Sequence, residues 1–128
     1  MDYYINKTIK AEFNQAVQLV TEALQNEGFG VLSEIDIQQK LKEKVDVDFR
    51  KYKILGACNP LSAYKALQQE DKIGTLLPCN VIVQELDDNQ IEIAAVDPVA
   101  SMMAVENEEM SAVVKDIKER LERVIASL

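Results

Sequence analysis

The chain has 128 residues, a length that fits one domain with a self-sufficient core, and 48% of them are hydrophobic, as in ordinary folded proteins. Its 22 acidic and 14 basic residues give a net charge of -8, with the basic side chains dispersed, which argues against nucleic acid as a partner. No histidine occurs, so Ser-His-Asp and Cys-His triads and every His-containing zinc site are excluded.

No apolar run approaches the roughly 20 residues that span a bilayer. The start, Met1-Asp2-Tyr3-Tyr4, lacks the basic-then-apolar layout of a signal peptide. A cytoplasmic, membrane-free protein is the expectation.

Tyr3 to Ile9 reads as a first strand by its alternation. Helical spacing follows in Phe13, Ala16, Val17, Val20, Ala23 and Leu24, and Gly28 stands just past the helix end. Phe29 to Ile35 is a second strand. Asp36 then caps a short helix, with Gln39 completing a capping box and Ile37, Leu41 and Val45 facing inward. Beyond a polar stretch, Tyr52 to Cys58 forms a third strand, and Asn59-Pro60 is a strong helix start. Ala63, Tyr64 and Leu67 give that helix its buried side.

The fourth strand lies within Leu76 to Glu85 and begins at Cys79, because Pro78 has no N–H for a sheet ladder. Asp87-Asp88-Asn89 turns the chain into a fifth strand with Ile91, Ile93 and Ala95 on one face, making a hairpin. Met102, Met103 and Val105 form an apolar patch without a clear period. A last helix starts near Asn107 and buries Met110, Val113, Val114, Ile117, Leu121, Val124, Ile125 and Leu128. Asp116 with Arg120, and Glu119 with Arg123, form acid-first pairs on its outer face. The order of elements predicts a single α+β domain over residues 1–128: one mostly antiparallel or mixed sheet of about five strands, with helices packed on one face.

Both cysteines sit at strand ends in near-repeats, Cys58-Asn59-Pro60 and Pro78-Cys79-Asn80. Taken as chemistry, they are a thiol pair for oxidation or for a soft divalent metal such as zinc. That requires strands three and four to be antiparallel neighbours; parallel strands would part the thiols by roughly 20 Å over six residues. Taken plainly, both are small buried apolar side chains. Asn59 is explained as a helix cap, whereas Asn80 sits in a strand, where asparagine is disfavoured. Glu34, Asp36 and Asp97 fall near strand ends, where gathered carboxylates would hold a cation or work as an acid-base pair. Their plainer roles are solvation for Glu34, a helix cap for Asp36 and an Asx turn for Asp97. Gly28-x-Gly30 precedes a strand rather than opening a helix, the wrong context for a dinucleotide site.

The segments Gly28-Phe29-Gly30-Val31, Glu34-Ile35-Asp36, Tyr52-Lys53-Ile54-Leu55-Gly56-Ala57-Cys58-Asn59-Pro60, Leu76-Leu77-Pro78-Cys79-Asn80 and Asp97-Pro98 together resemble the prokaryotic domain-of-unknown-function family three-hundred-and-two. The resemblance implies a compact α+β fold, often homodimeric, and supplies no catalytic residue to transfer. The expected function is a non-enzymatic homodimeric binding or interaction module with no cofactor. The alternative is a ligand or metal site, catalytic or not, around Cys58 and Cys79. Met102, Met103 and Val105 are the expected dimer contact.

Overall fold

The computed structural model describes residues 2–128. Five strands, β1 (Tyr4–Lys10), β2 (Gly30–Asp36), β3 (Tyr52–Cys58), β4 (Cys79–Asp87) and β5 (Gln90–Val96), form one sheet in the order β1-β5-β4-β3-β2. Every neighbouring pair is antiparallel. The helices are α1 (Phe13–Asn26), α2 (Ile37–Val45), α3 (Pro60–Gln69), α4 (Pro98–Ser101) and α5 (Met110–Ala126), with a 3-10 helix over Asp71–Leu76.

The two long amphipathic helices, α1 and α5, cover one face of the sheet. Phe13, Ala16, Val20 and Leu24 of α1, and Leu121, Val124 and Ile125 of α5, meet the inward row of Leu55, Val81, Val83, Ile91, Ile93 and Ala95. Each fully buried aliphatic side chain of this kind contributes about 1.5–3 kcal/mol. The seam between the helices is fixed by α5: Arg120 donates to the Glu27 carbonyl (2.9 Å), and Arg123 pairs with the Glu27 carboxylate (2.9 Å). Both cations therefore sit at the C-terminus of α1, where the helix dipole favours positive charge.

Four expectations are corrected. On α3 the buried residue is Ala66, while Tyr64 and Leu67 are exposed, because the helix packs edge-on against α5 and the 3-10 helix rather than flat on the sheet. Helix α2 buries no residue fully, and Val45 is exposed. Arg123 leaves Glu119 for Glu27, although the Asp116–Arg120 pair forms as expected at 2.9 Å. The last helix begins at Met110, three residues later than expected, since Asn107 Oδ1 accepts from the Glu109 N–H in a preceding turn.

A second, smaller cluster of Ala66, Ile73 and Met110 lies under α3, with Leu77, Met102, Val105 and Val114 packed against it. Of the expected contact patch, Met102 and Val105 thus turn inward, and only Met103 is left well exposed.

Candidate functional site

Antiparallel pairing of β3 with β4 sets Cys79 opposite Ala57, so Cys58 and Cys79 share one edge of the sheet. Both line one cavity of about 40 Å³ with Phe29, Ala66, Met102 and Met110. The cavity falls at the seam between the two buried clusters, bounded by Phe29, Ala57, Cys79 and Ile117 from one and by Ala66 and Met110 from the other. Burial pushes the Cys58 thiol up. It pushes the more deeply buried Cys79 thiol up to about 11, with the nearby Cys58 adding to the rise. A raised thiol pKa keeps sulfur protonated at neutral pH and makes it a poor nucleophile. Neither cysteine is in a disulfide.

The two near-repeats are not equivalent. Asn59 lies beside the cavity, where its Oδ1 accepts from the Ser62 N–H (3.1 Å) and caps α3. Asn80 is exposed on the opposite face of the sheet, in register with Gly56, so it does not join the cysteines. Strand alternation is the reason: Cys79 faces the core, and its successor must face away.

The carboxylates are not gathered at one site. Asp36 pairs with Lys53 in the β2–β3 register, while Cys58 pairs with Gly30, which places Asp36 at the other end of the sheet from the cysteines. Its Oδ1 accepts from the Gln39 N–H (3.0 Å), the Asp36 half of the expected capping box. Glu34 is exposed and bonded to Lys53 (2.6 Å). Asp97 alone is buried and near the cysteine end; it accepts from the Val99 N–H (2.9 Å), caps α4 and pairs with Lys118 (3.1 Å). Among the described residues, no three Cys, Asp or Glu side chains are grouped to hold a metal ion.

The open face of the sheet holds what sequence reasoning passed over. Ile35, Ile54, Ile82 and Ala94 lie in one cross-strand row that ends at Asn6, and none of the four belongs to a buried cluster. Beside that row is a groove of about 410 Å³ between Tyr4, Arg50, Tyr52, Asn80, Ile82 and Glu92. A polar relay floors it: Arg50 Nε donates to Gln84 Oε1 (2.7 Å), Gln84 Nε2 to Glu92 Oε1 (2.7 Å), and Asn6 Nδ2 to Glu92 Oε2 (2.9 Å). The Arg50 guanidinium also lies 4.3 Å from the Phe49 ring centroid. The alternation of Ile54, Ile82 and Ala94 against the core row was the available signal, since a solvated face carries polar residues there.

These features define a small α+β protein with a five-stranded antiparallel sheet, one face packed under helices and the other open, and a thiol-lined cavity at one sheet end. The chain belongs to the family described as Domain of unknown function DUF302, whose model matches residues 5–128. It is similar to the crystal structure of an uncharacterized conserved DUF302 protein from Bacillus stearothermophilus, at 26% identity and a TM-score of 0.87, covering 97% of this chain and 96% of that one. No match was found among curated proteins. None of the described helices is long and apolar enough to cross a membrane.

Proposed function

We propose that the protein is a non-enzymatic, cytoplasmic binding module that works as a homodimer, with the open sheet face packed on a second copy. The carrying observation is the apolar row Ile35–Ile54–Ile82–Ala94 on a face that no long helix covers. A solvated face would carry polar residues in such a row, and contiguous apolar surface of this kind marks a contact area. Charge favours the same face. The chain carries -8, yet Arg50 and Glu92 are joined there through Gln84, so two copies meet with little repulsion. An isologous pair built on a self-complementary face is the commonest oligomer.

The non-enzymatic part of the reading draws on how the polar side chains are used. Asn59, Asp36 and Asp97 cap helices, Glu34 bonds Lys53, and the thiols are held protonated. Two free thiols at one sheet edge suit a reducing compartment. Sedimentation or light scattering tests the assembly. The wild type should run as a dimer at high micromolar concentration, and Ile82→Glu as a folded monomer with unchanged circular dichroism. A monomeric wild type would overturn the reading.

A second reading, a small-ligand or metal site at the strand ends, is favoured by one observation: Cys58 and Cys79 line the same cavity.

A further inference from the structure

The groove on the open sheet face runs along β4 and β5, from Arg50, Tyr52 and Gln84 at one end to Asn80 and Tyr4 at the other. Along β4, Asn80 and Gln84 are roughly 13 Å apart. Between them the floor is aliphatic, with Ile82 paired to Ala94, and Val96 paired to Tyr4 at the far end. The volume of about 410 Å³ is that of a small-molecule site.

The charge is concentrated at the Arg50 end. The Arg50 guanidinium lies 4.3 Å from the Phe49 ring centroid and 5.8 Å from that of Tyr52, and its Nε donates to Gln84. These contacts hold the group in place, so engaging it costs little further ordering. Among the described residues every ion pair goes to another cation, and no carboxylate of the chain takes Arg50. The two terminal nitrogens of the guanidinium are left over, the fork that grips a carboxylate. The acid in the groove, Glu92, already accepts from Gln84 at Oε1 and from Asn6 at Oε2.

A cation at one end of an elongated aliphatic floor fits an anionic amphiphile, a monocarboxylate with a straight chain. A chain of about ten carbons covers the length from Arg50 to Asn80. One copy of the protein leaves the upper side of such a chain in water, whereas small-molecule sites bury about 70–90% of their ligand. A second copy on the open face closes that side.

We propose that the groove binds a medium-chain carboxylate, its head on Arg50 and its chain along Ile82 and Ala94, roofed by the partner copy. The proposal rests on the dimer reading, because the site is incomplete without the second copy. Carboxylate and partner then favour each other: whatever factor the dimer adds to ligand affinity, the ligand adds to dimer affinity.

The test is isothermal titration calorimetry of the full chain with sodium decanoate at sub-micellar concentration, and with decyltrimethylammonium as a cation of the same chain length. Sedimentation equilibrium with and without decanoate reads the assembly. Decanoate is expected to bind once per chain and to lower the dimer dissociation constant. Octanoate, two CH₂ groups shorter, should bind about tenfold more weakly. Arg50→Gln should weaken decanoate binding about ten- to a hundredfold, while the decanoate-free dimer persists. Arg50 is exposed, so this variant stays folded. Decanoate binding that is unchanged in Arg50→Gln, or matched by decyltrimethylammonium, would overturn the proposal. A dimer that takes up no decanoate would overturn it too, while the dimer reading stood. A monomer, with or without decanoate bound, would remove both.

Discussion

At Gly56 a β-carbon would lie 2.3 Å from Ser33 Oγ and 2.9 Å from the Pro78 ring, distances that no settled side chain shows. The position sits in β3 opposite Ser33 and Asn80, next to the register shift between Val31 and Ser33 in β2. Gly56→Ala should therefore cost about 1–3 kcal/mol by overpacking. Gly30→Ala, whose β-carbon meets nothing, serves as the control in urea unfolding. An equal midpoint for the two variants would refute the close-approach account. Glu12 makes a different single-residue prediction. It caps α1, and hydrogen bonds from the Asn14 and Gln15 backbone N–H groups hold its carboxyl below the ordinary value. A carboxyl with a depressed folded pKa stabilises the fold above its unfolded pKa, and that contribution is lost as pH falls through the folded pKa. The Tm difference between the wild type and Glu12→Gln should accordingly be largest near neutrality and shrink on acidification. A difference that grows toward low pH would have the wrong sign.

Helices and strands were legible where a local pattern decides them. Asn59-Pro60 starts α3, Gly28 closes α1 with φ +84°, and the alternation through Ile91, Ile93 and Ala95 marks β5. The exposed Tyr64 and Leu67 show where such patterns fail: a helix of 10 residues offers two apolar faces, and tertiary packing chooses Ala66. The candidate site divides the same way. Each cysteine's strand end was legible, but whether Cys58 and Cys79 share an end of the sheet depends on strand direction, and Met102 arrives from a segment without a period. Asn80 was misplaced because equal neighbours in sequence were taken to share a face, which the period of two forbids. The element contrast is measurable. Leu121, fully buried on α5, should cost about 2–5 kcal/mol when replaced by alanine. Leu67→Ala, on the outward side of α3, should stay within about 0.5 kcal/mol in chemical unfolding. A large loss at Leu67 would return that residue to the core.

For the whole molecule, the asymmetry of the sheet sets the behaviour. One face is closed under α1 and α5, and the other shows the row Ile35–Ile54–Ile82–Ala94 beside a relay in which Arg50 and Glu92 offset each other. Strand order was out of reach of the sequence for a physical reason: β1 joins β5 across more than half of the chain, and no local signal encodes that pairing. The proposed dimerisation through the open face would bring two bodies of charge -8 together across a nearly neutral contact. The attraction is then apolar and short-ranged, while the repulsion is long-ranged and screened over about 8 Å at physiological ionic strength. Added sodium chloride should lower the dimer dissociation constant, most steeply between low and physiological salt, and Ile82→Glu should abolish the dimer at every salt concentration. Sedimentation equilibrium across a salt series reads this directly. A dissociation constant that rises with salt would mean that opposite charges, rather than the apolar row, hold the two copies together, and the interface would have to be sought elsewhere on the molecule.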